Sequence, residues 1–153
     1  MPNIYTQLHI QLVFAVKFRL ALIGDEWREN LHKFVTAFIQ ESGHKMLQIN
    51  SRPDHIHIFY GMRPHEAISD LVQNVKATTS KWINTNNFCE KKFHWQDGFG
   101  AFSYSKSHVD RVIKYIQNQE KHHKKITFLE EYLSMLRKTD ILFDERYVFH
   151  LPI

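Results

Sequence analysis

His55 and His57 sit one residue apart in the stretch Pro53-Asp54-His55-Ile56-His57-Ile58-Phe59-Tyr60. The proline and aspartate read as a turn and the remainder as a short strand. Alternate side chains of a strand share a face, about 6.6–6.8 Å apart along the backbone. Two imidazoles leaning together across that gap can hold one divalent ion, while Ile56, Ile58 and Tyr60 turn the other way, toward a core. A half-exposed strand that carries two histidines by chance has the same pattern. Asp54 reads equally as a turn residue and as a carboxylate that steadies a ligand or binds metal itself.

A second chemically equipped element follows later. Val109, Val112, Ile113 and Ile116 recur at helical spacing and form a core stripe. Tyr115 and Gln119, four residues apart, stack on one side of that helix, in a row with His108, Arg111 and His122. Taken alone, the tyrosine is an amphipathic packing residue and the glutamine a surface amide.

In this order the elements resemble the HUH single-tyrosine transposases, small proteins that move the simplest bacterial insertion sequences as single-stranded DNA; the REP-associated tyrosine transposases are close relatives. The resemblance rests on Pro53-Asp54-His55-Ile56-His57, with a hydrophobic residue between the histidines. It rests also on Trp95-Gln96-Asp97-Gly98-Phe99-Gly100-Ala101-Phe102-Ser103 and on the run from Ser107 to His123, and it extends from residue 4 to residue 138. It implies that Tyr115 is the nucleophile and that His55, His57 and Gln119 hold Mg²⁺ or Mn²⁺. A phenol, with a pKa of about 10, is a weak nucleophile when neutral. Attack on a phosphodiester therefore calls for charge relief at the phosphorus oxygens, which a metal on those ligands supplies. The family further implies a 5′-phosphotyrosine intermediate, DNA hairpins at element ends as substrate, and a homodimer; it favours a tyrosine helix docked on the other chain's sheet, while the sequence alone equally allows the helix to fold back on its own. Other readings stay open: a housekeeping nickase of genomic hairpin repeats, a non-catalytic nucleic-acid-binding protein, and a metal-dependent hydrolase in which Tyr115 is structural.

The elements that must position these residues are legible as patterns. Residues 4–16 alternate, with Ile4 through Val16 at even positions on one face and Tyr5, Gln7, His9 and Gln11 on the other. Asp25 caps a helix over 26–42 that stops at Gly43. A short strand over 46–50 pairs with the histidine strand through the turn at 51–54. A second helix covers 65–86, a bent strand or hairpin lies near 95–104, and the tyrosine helix spans 107–123. Thr127-Phe128-Leu129-Glu130 fits a capping box, and Leu129, Tyr132, Leu133 and Leu136 give the helix it opens an apolar face. The tail 140–153 is aromatic and apolar and is expected to pack down. This is the ferredoxin-like βαββαβ order, an α+β fold with an antiparallel sheet, helices on one face and extra C-terminal helices. The opposite face, carrying His9, Gln11, His55 and His57, is expected to be open for DNA, a partner subunit or both.

Composition bounds the rest. The 153 residues suit one domain covering 1–153, and 43% hydrophobic with 24% charged residues is ordinary for a globular chain. The formal charge of +4 is compatible with nucleic acid without singling it out. Lys17, Arg19, Lys76 and Lys81 are possible phosphate contacts or solvated cations. The single cysteine, Cys89, excludes a disulfide within the chain and fits a reducing cytoplasm. The chain opens directly into an alternating strand, so no signal peptide is expected. No run reaches the length of a membrane span, and no phosphate-cradling glycine loop points to a nucleotide cofactor.

Overall fold

The computed structural model describes residues 3–20 and 22–143. Four strands, β1 (Leu8–Ala15), β2 (Lys45–Arg52), β3 (His55–Met62) and β4 (Gly100–Tyr104), form one antiparallel sheet in the order β2-β3-β1-β4. Helix α1 (Arg28–Glu41) follows β1 and α2 (Ile68–Thr85) follows β3, completing the βαββαβ order. Three further helices follow: α3 (Val109–Gln117), α4 (Gln119–His122) and α5 (Phe128–Lys138).

Strand parity sorts the two faces. Ile10, Leu12 and Phe14 of β1 join Ile56, Ile58 and Tyr60 of β3 beneath Leu31, Val35 and Ile39 of α1 and Leu71, Val72 and Val75 of α2. β1 begins four residues later than its alternation suggests. Leu8 pairs with Met62, the last residue of β3, so nothing remains for residues 4–7 to pair with, and Ile4 and Tyr5 are exposed. The aromatic segment before β4 also turns inward. Trp95 makes an isolated bridge to Val16 and donates its indole N–H to Thr79 Oγ1 at 2.8 Å. Phe93 and Trp95 sit edge to face at 4.8 Å. Of the aromatics in this segment, Phe99 is the one left exposed. Gly98, at φ +89°, makes the turn that a side chain would resist.

The other sheet face is covered, where the alternation left it open. α3 lays Val112 and Ile116 on Phe59 of β3. α5 lays Phe128, Tyr132 and Leu136 on Val13, Ala15 and Phe102. His55 and His57 are consequently fully buried, and Gln11 nearly so. The expected packing of the tail reaches the described residues at Phe143, which packs beside the α5 cluster; residues 144–153 lie outside them.

Candidate active site and metal centre

The site forms where three segments meet under that C-terminal cover. β3 supplies His55 and His57 on one face, as the parity requires. Their rings meet edge to face with centroids 5.1 Å apart. The tyrosine helix is broken where the pattern suggests one continuous run: α3 ends at Gln117, and Asn118, at φ −94° and ψ 19°, separates it from α4. A helix end strands its last carbonyls. Here Asn50 of β2 donates its amide to the Ile116 and Gln117 carbonyls, at 2.8 and 3.4 Å, tying the break to the sheet beside the histidines. Tyr115 and Gln119 still reach the site from the two sides of the break.

The third segment is the one the sequence reading missed. Glu131 of α5 is 2% exposed and lies at the centre of the cluster. Its Oε1 accepts from His57 Nε2 at 3.1 Å and lies 3.1 Å from His123 Nε2 and 3.6 Å from His55 Nε2. Its Oε2 accepts from Gln119 Nε2 at 2.9 Å and from the Tyr115 hydroxyl, with His122 Nε2 at 3.3 Å. Thr127 caps α5 as the sequence suggests, accepting the Glu130 N–H at 3.2 Å. The buried stripe, however, is Phe128, Glu131, Tyr132 and Leu136 rather than 129, 132, 133 and 136. An acidic residue three places after Phe128 and next to Tyr132, directly following a capping box, was the available signal. His123, in His122-His123-Lys124-Lys125, is a second site residue that the pattern did not single out.

Electrostatics follow from burial against pairing. Burial alone would raise the Glu131 pKa. Hydrogen bonds from His123 and His57, with the charges of His57 and His55, outweigh it and hold the carboxyl well below its ordinary range. Burial pushes His55 down despite Asp54, whose carboxylate accepts from His55 Nδ1 at 2.7 Å. Burial would raise Asp54 too, but its bond with His55 prevails and lowers it. His123 goes up, because Glu131 outweighs the burial. Burial and the Glu131 charge both raise the Tyr115 phenol far above its ordinary value, so in this arrangement the hydroxyl keeps its proton.

The donor accounting tests the fit to a metal ion. Neutral His55 gives its one proton to Asp54, leaving Nε2 as a bare lone pair. That lone pair faces Gln119 Oε1 at 3.2 Å and Glu131 Oε1, both acceptors. His123 repeats the pattern: Nδ1 donates to the Ile126 carbonyl at 3.0 Å, and Nε2 faces Gln119 Oε1 and Glu131 Oε1. Lone pairs aimed at oxygens require a cation between them, either a proton on the ring or a metal ion. His55, His57, His123 and Glu131 each offer one ligand atom, and all four lie within 4.8 Å of one another. This mixed nitrogen and oxygen set fits a divalent ion. Gln11, held by Tyr104, donates to His57 Nδ1 at 2.9 Å and fixes that ring from behind, with the ring proton on Nε2; a metal on Nε2 would move that proton to Nδ1, where a turned Gln11 amide offers its oxygen as acceptor.

The remaining sequence candidates separate. His9 bonds the Tyr104 carbonyl at 3.3 Å and is not in the cluster. Lys76 is not a free surface cation: its ammonium donates to the carbonyls of Gln96 and Gly98, both at 2.7 Å, and burial lowers its pKa to about 8. Lys17 and Lys81 are exposed, and the Arg19 side chain lies outside the described part of the chain. His108, Arg111, Tyr115 and His122, with Glu131 and Lys138, line a cleft of about 550 Å³. Among the described residues, no helix is long and apolar enough to cross a membrane.

Comparison with known proteins places the fold and the family. The ISDra2 transposase TnpA of Deinococcus radiodurans is 23% identical over 118 residues, covering 74% of this chain and 84% of that protein. A crystal structure of a candidate transposase from D. radiodurans R1 superposes with a TM-score of 0.62 at 20% identity, over 76% of this chain and 94% of that one. A REP-associated tyrosine transposase bound to a REP hairpin gives 0.59 at 12% identity, over 81% and 73%. At these identities the two structures establish the fold. The family described as "Transposase IS200 like" matches residues 4–119, which take in the sheet, both histidines, Tyr115 and Gln119. That match covers well over half of the sequence, and the chain belongs to the IS200-like transposase family.

Proposed function

We propose that this transposase nicks and rejoins single-stranded DNA at hairpin-bearing element ends through a covalent bond to Tyr115. The observation that carries the reading is the convergence of the Tyr115 hydroxyl and the His55, His57 and Gln119 side chains on one buried carboxylate, which with Tyr115 lines a cleft. In the nicking step the Tyr115 oxygen attacks phosphorus, and the bond from phosphorus to the 3′ oxygen breaks. The phenol gives up its proton and the departing 3′ oxygen gains one, so a 5′-phosphotyrosine and a free 3′ hydroxyl result. Attack by another strand's 3′ hydroxyl reverses the step and rejoins DNA with no net bond energy spent.

Mg²⁺ or Mn²⁺, held by His55, His57 and Gln119, would draw charge from the scissile phosphate. Asp54 and Gln11 orient the two histidines, and α5 shields the site from bulk water. The hairpin substrate is supported by the relative whose structure is described as bound to a REP hairpin. The homodimer implied by the family enters this proposal as a pairing of two sites, each built within its own chain.

The test is incubation with single-stranded hairpin oligonucleotides and Mn²⁺, followed by a denaturing gel. A protein–DNA adduct is expected from the native chain and none from Tyr115→Phe, which should keep its fold and its hairpin binding. An adduct of normal yield from Tyr115→Phe would reject the nucleophile.

A further inference from the structure

Glu131 lies beyond the segment matched by the family, which ends at residue 119, on a helix whose contribution to the site no sequence motif announces. We infer that Glu131 is itself a ligand of the divalent ion, so that α5 is part of the metal centre rather than a lid over it. The inference rests on the metal-assisted reading above and adds a residue to it.

Three observations carry it. First, the two carboxylate oxygens divide their work. Oε1 faces the three histidine nitrogens, while Oε2 takes the Gln119 amide and the Tyr115 hydroxyl. An oxygen surrounded by imidazole nitrogens, two of them lone-pair donors when neutral, sits as a fellow ligand of one cation sits. Second, the position is an expensive one for a carboxylate. Glu131 occupies a helix stripe of Phe128, Tyr132 and Leu136, where an apolar side chain would bury without the desolvation cost of a charge. Third, His55, His57 and the Gln119 amide are a neutral set, and hard cations such as Mg²⁺ and Mn²⁺ favour a charged oxygen. Glu131 supplies one. Its place is fixed from both sides: the Thr127 cap sets the start of α5, and Phe128 stacks on the His55 ring at 3.9 Å.

The rival account makes Glu131 a plug that fills the cation's place and must leave when metal enters. The two differ in sign. Calorimetric titration with Mn²⁺ would compare the native chain with Glu131→Gln, Glu131→Asp and His55→Ala/His57→Ala. As a ligand, Glu131 should lose at least about tenfold in Mn²⁺ affinity on change to Gln and less on change to Asp, with binding gone in the double histidine variant. Equal or tighter binding by Glu131→Gln, with the double variant still silent, overturns the inference and leaves the histidine site intact. Native affinity in the double variant overturns the site itself. Hydrogen exchange on the native chain answers without substitution. Mn²⁺ should slow exchange of the amides of residues 128–138 if it ties α5 to the sheet; unchanged or faster exchange would overturn the proposal.

Discussion

The ring of Tyr115 stands edge-on to the ring of His57 in the same chain, with centroids 6.0 Å apart and planes at 85°. The family resemblance favours a tyrosine helix docked on a partner's sheet; here α3 folds back on its own, with Ile116 and Val112 against Phe59. Mixing Tyr115→Phe with His55→Ala/His57→Ala should therefore restore no adduct, since each chain lacks half of its own site. Co-expression followed by a denaturing gel checks this. Recovery, with the adduct on the histidine variant, would show that α3 exchanges between chains during cleavage.

Gln119 offers the site one neutral oxygen, and water can replace one oxygen ligand. Gln119→Ala should therefore weaken Mn²⁺ binding less than loss of the two histidines does. Asp54→Ala removes the acceptor that fixes the His55 ring and should cost about 10- to 100-fold in metal affinity. Calorimetry ranks the three. A Gln119→Ala loss equal to that of the double histidine variant would make the amide indispensable.

Stability should fall with acid in a defined order. Burial lowers the pKa of His32, His55 and His122, so each folded value lies below the unfolded one of about 6.5. Their contribution is complete above that pH and is lost as pH falls toward the folded values. His123, raised by Glu131 against its burial, acts in the opposite sense. Glu131 and Asp54, both lowered, contribute above about pH 4 and lose that contribution below it. The Tm of metal-free protein should drop from pH 7 to pH 5 and more steeply below pH 4. A Tm that rises toward pH 5 would contradict the balance.

The lysines should divide between stability and binding. Lys76→Met removes the charged donor to the Gln96 and Gly98 carbonyls and should cost about 1–3 kcal/mol, read by denaturant unfolding. Lys17→Ala and Lys81→Ala, at exposed positions, should leave stability within about 0.5 kcal/mol. If they contact phosphate, each should also lower the slope of log affinity against log salt by about one. Unaltered DNA binding by both would remove them from the interface.

Gly100 is where β4 meets α5. A Cβ there would lie 2.5 Å from the Tyr132 hydroxyl oxygen and 2.7 Å from its Cε1. Gly100→Ala should cost about 1–3 kcal/mol through overpacking. Because Tyr132 and Glu131 are neighbours on α5, it should also weaken Mn²⁺ binding, although the residue is no ligand. Native stability with native metal affinity would show that α5 shifts without disturbing the site.

What the sequence determined by itself is what depends on local periodicity. A repeat of two put His55 and His57 on one face and Ile56, Ile58 and Tyr60 on the other. A repeat of 3.6 put Tyr115 and Gln119 in one row, and the order of elements was enough for βαββαβ. Only the tertiary structure decided what covers the histidine face. The amphipathic stripe of α5 can be drawn through 129, 132, 133 and 136 or through 128, 131, 132 and 136; the two share 132 and 136 and are related by a rotation smaller than the roughly 100° of one residue. That rotation separates an exposed Glu131 from one buried against three histidines. It is set by packing on Val13, Ala15 and Phe102, and by Gly100 making room for Tyr132, contacts distant in sequence that no window of neighbouring residues contains. The centre of the site was thus hidden for the reason that burial of a carboxylate is unfavourable until its partners arrive, and they come from three separate segments of the fold.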